Sequence, residues 1–282
     1  MAAVKKKIGR PKPLRQRIGE NKSWQKASAI VLPLALGLLI VLIWQTELLH
    51  SWLDTDTFTL PLMDKIGSIM YDNSDKIWAN AVDTLKVAGI GLAAGSLLGY
   101  LVAIFAALLP RLGQGSLYVI GAFASIPVVA MAPVLNNWTK DVSSDAAVRS
   151  MVSKILVVTL ICAADMGLNA YRGLTEIKLY SEDMMSIYAA KKRVVLWKLR
   201  IPNSIPYVFT ALKVSVPASI MTAIVSEYFA EKITGVGRQI RENIVLAQYS
   251  TAWAYIATAC VIGILAYVLL MAAQTILLKR YH

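Results

Sequence analysis

Four stretches of this chain, 27–46, 87–110, 112–139 and 243–278, contain no Asp, Glu, Lys or Arg. Each is at least as long as the roughly 20 residues an α-helix needs to cross the hydrocarbon core of a bilayer. In lipid, backbone polar groups must be paired inside the element that crosses, so helices are the expected form of such stretches. The whole chain fits this: of 282 residues, 57% are hydrophobic and 16% charged, more apolar than an average soluble domain. Two further stretches carry one interior charge each, Asp165 in 155–171 and Lys213 in 201–226. A mid-span charge costs about 2.5–3.5 kcal/mol on insertion scales, and several Leu, Ile and Val at about −0.3 to −0.6 each offset it. The sequence therefore predicts an all-α membrane protein with a basic tail over 1–26. Six transmembrane helices follow, at about 27–46, 87–110, 113–136, 154–171, 204–228 and 252–278.

The first apolar stretch follows a basic leader and reaches spanning length with no small-residue cleavage pattern after it, so it is expected to be retained as a helix and not removed as a signal peptide. Cys162 and Cys260 both fall inside expected spans, which suits small apolar packing better than a disulfide or a metal site.

The net charge of +12 raises the question of nucleic acid, and the placement of the charge answers it. With six spans, one side holds nine Lys and Arg in 1–26, Arg111, seven in 172–200, and Lys279 and Arg280, nineteen in all. The opposite loops hold seven, together with acids such as Asp54, Asp56, Asp64 and Asp141. By the positive-inside rule the basic side is cytoplasmic, with both termini there. The excess charge then serves topology and anionic lipid head groups, and no nucleic-acid partner is expected.

The longest cytoplasmic loop, 175–202, carries Ile177, Tyr180, Met184, Ile187 and Tyr188 at steps of three and four, one face of a helix. Two readings fit that face: a helix lying on the membrane surface, or a helix offered to the groove of a soluble partner. The loop ends in "LRIPNSIP", where Pro202 and Pro206 either begin the next helix or stiffen its junction with the loop.

Around this loop the chain resembles the permeases of ATP-binding-cassette importers. These carry, between two late transmembrane helices, Glu-Ala-Ala, three residues, Gly, nine residues and Ile-x-Leu-Pro. Asp183-Met184-Met185 stands where Glu-Ala-Ala would, Ala189 where the Gly would, and Leu199-Arg200-Ile201-Pro202 where the last motif would. "LPLMDKIGSIM" with "DTLKVAGIGLAAGSLLGYLVAIFAAL", "SIPVVAMAPVLNNW", "LNAYRGL" and "IPNSIPYVFTALKVSVPASIMTAIVSEYFAEKITGVGRQI" resemble successive helices of the nitrate, sulfonate and taurine branch. The likeness covers roughly 58–278 with helical order intact. "APVLNNW" and "LWKLRIPNSIPYVFTALKV" lean toward the pyrimidine and riboflavin group.

The resemblance implies a type I importer permease with no cofactor of its own, ATP and Mg being held by a separate ATPase. An external solute-binding protein and a second permease copy, identical or related, complete the assembly. It further implies that Asp183, Met184, Met185, Ile187, Tyr188, Ala189, Leu199 and Pro202 couple to the ATPase. Two positions depart from the pattern. Ala189 lacks the freedom of Gly at positive φ, so the loop helix is expected to run on without a turn there. Asp165 stands where many relatives have Pro.

Along the solute's path the residues themselves nominate several positions. Asp165 is a charge near mid-span, either lining the path or paired with a neighbour such as Lys213. Asn136, Asn137 and Trp138 end the third span at the external face, as solute contacts or as an interfacial anchor. Glu227, near the external end of the fifth span, is a candidate for binding-protein contact or the gate. No phosphate-binding loop, Gly-x-Ser-x-Gly or His-Glu-x-x-His occurs, so no covalent chemistry is expected. The competing class is an ion-gradient-coupled secondary transporter with Asp165 as its coupling acid, although the chain shows no internal repeat.

Overall fold

The computed structural model describes residues 22–230 and 232–278. The basic tail up to position 21, and Lys279 and Arg280, lie outside the described residues. Every regular element among the described residues is helical: α1 Lys22–Gln45, α2 Leu48–Leu53, α3 Met63–Asp72, α4 Ser74–Leu108, α5 Pro110–Ala124, α6 Val128–Trp138, α7 Ala146–Thr175 and α8 Ser181–Ile187. Then come α9 Lys192–Val195, a π-helical turn Leu196–Arg200, α10 Ile201–Tyr228, α11 Val236–Val245 and α12 Tyr249–Leu278. The all-α expectation holds.

Four helices are long and apolar enough to cross a membrane, Ser74–Leu108, Ala146–Thr175, Lys192–Tyr228 and Tyr249–Leu277. Gly115–Ala124 and Val128–Trp138 make a fifth if they are one span, bent by 100°, and Val31–Gln45 is a shorter apolar helix. The single span expected over 113–136 is thus broken. Pro127 has no N–H to continue a helix and disfavours helical geometry at Ile126; its own backbone is extended, φ −56° and ψ 129°. The Ser125 hydroxyl donates to the Ala122 carbonyl at 2.7 Å, closing the end of α5 before the break.

The chain divides into two compact units, up to Lys65 and from Ile66. In the first, Trp44 Nε1 donates to the Pro61 carbonyl at 3.0 Å, and His50 Nε2 lies 2.6 Å from the Leu60 carbonyl oxygen, which folds the 54–62 segment back on α1 and α2.

In the second unit, α4 and α7 form the most extensive helix pair, and α10 packs against both. Gly91, Gly95 and Gly99 set the closeness of the α4–α7 contact. A Cβ on Gly95 would meet the Thr159 carbonyl oxygen and lie 2.8 Å from Cys162 Cβ; one on Gly99 would run into the Ala163 carbonyl oxygen and lie 2.9 Å from Gly167 N. Lipid supplies no hydrophobic force between helices, so contact of this kind at small residues is what associates them. Toward the loop end, Ala103, Ala107, Met166, Leu174 and Ala211 of the three helices close a buried core with Leu196 of the π-helical turn.

Replacing Gly99 with Leu should lower stability in detergent by at least about 2 kcal/mol through overpacking. Gly89→Leu, where nothing lies within 4 Å of a built Cβ, should be neutral or stabilising by up to about 1 kcal/mol, the helix-propensity difference. Thermal unfolding of the two variants side by side measures the contrast.

Candidate functional site

The loop between α7 and α10 holds the first group of candidate residues. Tyr180, at φ 66°, turns the chain into α8, and the helix presents its apolar side outward: Met184, Ile187 and Tyr188 are 58%, 80% and 78% exposed. Asp183 is also exposed and Met185 half-buried. The expectation that the helix would run on through Ala189 is corrected, because Ala189 takes φ 49° and ends it. Ala189 N–H donates to the Ser186 carbonyl at 2.9 Å and Ala190 N–H to the Met185 carbonyl at 3.0 Å. That is the paired C-terminal cap usually built on Gly. Two satisfied carbonyls offset the roughly 1–2 kcal/mol that an L-residue pays in this region.

Leu199 and Pro202 do not share this surface. Both are half-buried on the continuous helix Lys192–Tyr228. Pro202 fits there because the preceding turn is π-helical, with Ile201 N–H bonded to the Leu196 carbonyl, a wider turn that relieves the clash of the proline ring. The start of α10 is tied to its neighbours. Asn203 Nδ2 donates to the Gly173 and Glu176 carbonyls at 2.8 and 3.0 Å, capping the end of α7. The Tyr207 hydroxyl donates to Glu176 Oε2 at 3.2 Å, and the Tyr100 and Ser204 hydroxyls lie 2.8 Å apart.

Midway along α7, Asp165 is half-buried and its Oδ2 accepts from the Ser215 hydroxyl of α10 at 3.4 Å. Its partner is therefore Ser215 and not Lys213, which lies two residues away and on another side of the helix. Cys162, one turn earlier, is fully buried with Sγ 3.9 Å from the Ser215 carbonyl oxygen, as its packing role implied.

At the other end, Asn136 is half-buried while Asn137 and Trp138 close α6 in exposed positions, the indole 73% exposed. Glu227 is different. It is fully buried, so it offers no surface to a docking protein, and Oε2 accepts from the Thr84 hydroxyl at 2.9 Å and from Gly237 N–H at 3.0 Å. Thr84 Oγ1 in turn accepts from Val236 N–H at 2.9 Å, and Asn80 Oδ1 from Gly235 N–H at 2.9 Å. Gly235 has φ 97°, and a Cβ there would fall on the Glu227 carboxyl; a Cβ on Gly237 would fall on the Ile224 carbonyl oxygen. The Gly-x-Gly turn is thus pinned between α4 and α10 by one carboxylate. Beside it a cavity of about 300 Å³ is lined by Asp83, Lys86, Lys154 and Lys232 among others. Lys154 there is only 4% exposed. Sequence patterns nominated Glu227 alone as a site residue, and neither Gly235 nor Gly237 was a candidate. Thr84, 143 residues from Glu227, gave no local signal.

The model of a family described as binding-protein-dependent transport system inner membrane component matches residues 91–282. Among curated proteins, the formylaminopyrimidine transport permease protein ThiX of Halalkalibacterium halodurans is 25% identical over 247 residues, 87% of this chain and 94% of its own. The riboflavin transport system permease protein RibX of Chloroflexus aurantiacus is 25% identical over 233 residues, 82% of each chain. Among solved structures, that of an amino acid ABC transporter with histidines has a TM-score of 0.58 at 14% identity, covering 75% of this chain and 96% of its own. That of the inward-facing MetNI methionine ABC transporter has a TM-score of 0.51 at 15% identity, covering 73% and 97%. The fold is that of type I importer permeases.

Thr84→Val keeps the shape but leaves the buried Glu227 carboxylate and Val236 N–H short of a partner, and should cost about 2–3 kcal/mol, while Thr84→Ser stays within about 1. Thermal unfolding, together with amide exchange at 235–237, reads both. Ala189→Gly should gain up to about 1 kcal/mol by relieving the left-handed backbone, seen as slower amide exchange at Ala190.

Proposed function

This chain belongs to the family of binding-protein-dependent transport system inner membrane components, and on that premise we propose how its parts divide the work. It is a multi-pass inner-membrane permease subunit of an ATP-binding-cassette importer for a small solute, a transport subunit and not an enzyme. In our reading both termini are cytoplasmic, and two permease copies, identical or related, flank the pathway. An external solute-binding protein delivers the solute. ATP and Mg are bound by separate ATPase subunits, and α8 with its cap is the element those subunits hold. The observation that carries this is the outward apolar side of α8, with Met184, Ile187 and Tyr188 exposed on a short helix whose following segment is hydrogen-bonded into the bundle. Closure of the ATPases around nucleotide then moves α8 as a rigid body and shifts the helices behind it.

For the solute we favour a planar vitamin precursor of the pyrimidine or flavin kind, in keeping with the names of the two curated relatives. Asp165 with Ser215 at mid-span, and Asn136, Asn137 and Trp138 at the external end, are the proposed contacts, donors and acceptors suited to a heterocycle and an indole suited to stacking on it. The cavity, where Lys86, Lys154 and Lys232 outnumber Asp83, supports a second reading, a small organic anion such as a sulfonate drawn by the excess positive charge.

Vesicles containing the permease, its ATPase and internal ATP should take up solute presented by the binding protein, and uptake driven by a proton or sodium gradient alone would overturn the assignment. Met184→Asp combined with Tyr188→Ala should reduce co-purification of the ATPase at least about tenfold, roughly 1.4 kcal/mol, with the permease still folded. Retention of the ATPase by that variant would show that another surface docks it. Competition between riboflavin or an aminopyrimidine and taurine for the cognate binding protein separates the two solute readings.

A further inference from the structure

Between α8 and the junction of α4 with α5 lies a cavity of about 410 Å³, bordered by Glu182, Ser186, Lys192, Arg200, Ala107 and Pro110. One side chain crosses its edge. Arg200, the last residue of the π-helical turn, donates through Nη2 to Glu182 Oε1 of α8 at 2.7 Å and through Nη1 to the Ala107 carbonyl of α4 at 3.0 Å. Ala107 is in the last turn of α4, where carbonyls lack intrahelical partners and the helix dipole favours a cation. The planar guanidinium can hold two acceptors in fixed directions at once, which an ammonium cannot.

The connections available to α8 make this contact mechanically distinctive. Through the chain, α8 joins α7 on one side and α9 on the other, and Asn203 ties the start of α10 to the end of α7. Helix α4 has no covalent link to the loop, yet it forms the main helix pair with α7. We propose that Arg200 is a positioning residue that carries displacement of α8 directly into α4, so that α4 and α10 move together when the ATPases close. The inference rests on α8 being the docking helix. The Arg200–Glu182 pair is half-exposed, 22% and 52% at the two side chains. Pairs of that kind add little to stability, so its value here is directional.

The test uses the assembled transporter in vesicles with Arg200→Ala, Arg200→Lys and Glu182→Ala. Co-purification of the ATPase and thermal unfolding are measured first, then solute transported per ATP hydrolysed. Arg200→Ala and Glu182→Ala should retain the ATPase and the fold while transport per ATP falls at least about fivefold, and Arg200→Lys should recover part of the loss. An unchanged ratio in Arg200→Ala overturns the proposal. If Arg200→Ala does not fold, Glu182→Ala decides, since it removes the acceptor on α8 while leaving the Ala107 contact, and an unchanged ratio there is equally fatal. If the unmodified permease binds its ATPase but the Met184 and Tyr188 changes do not release it, the failure belongs to the docking assignment and not to Arg200.

Discussion

The contact on which the second unit depends is the backbone-to-backbone approach of α4 and α7 along Gly91, Gly95 and Gly99. Each of these glycines faces a residue of α7 where even a methyl group would collide. Between helices in a bilayer, dispersion and backbone polar contacts at short range must do what water exclusion does in a soluble core. Because the two axes come this close, α10 can lie against both, and the small or short residues Ala103, Ala170 and Ala211 fill the space among them. The position of every candidate residue in the bundle follows from that three-helix arrangement.

Each end of the trio is then closed by hydrogen bonds of a different kind. At the end opposite the loop a single buried carboxyl, Glu227, gathers the Thr84 hydroxyl and the Gly237 amide, and Thr84 passes the connection on to Val236. Hydrogen bonds strengthen in the low local dielectric around a buried group, so the turn after α10 is fixed relative to α4. At the loop end the ties include two to backbone carbonyls, from Asn203 to α7 and from Arg200 to α4, beside the side-chain pairs Tyr207–Glu176 and Tyr100–Ser204. Helices fastened at both ends move as a group when one of them is displaced, which is the property the proposed coupling needs. The outer helices contribute differently: α12 exposes Ile264, Leu265, Leu269 and Ile276, a surface suited to acyl chains and not to further packing within this chain.

Much of the architecture was legible because hydropathy reports an averaged environment. Charge-free runs predicted helices, and a run of apolar steps of three and four located α8. The break before α6 was written in Pro127 but passed over, since the run 112–139 is uniformly apolar and a length count does not register a bend. The four-residue spacing of Gly91, Gly95 and Gly99 was equally visible; its meaning needed the identity of the partner helix. At Ala189 a rule about residue type gave the wrong answer, because two hydrogen bonds of the cap outweigh the local preference of alanine.

The sequence by itself determined that this chain spans a membrane as helices and carries one amphipathic loop helix in its longest basic loop. These follow from composition and periodicity, which act residue by residue. The tertiary structure alone decided that Asp165 meets Ser215, that Glu227 is a buried clamp and not an external contact, and that Arg200 reaches α4. Such pairings join residues 50, 143 and 93 positions apart. No local pattern encodes them, because they come from which helix faces approach within hydrogen-bonding distance once the glycine-lined pair has closed.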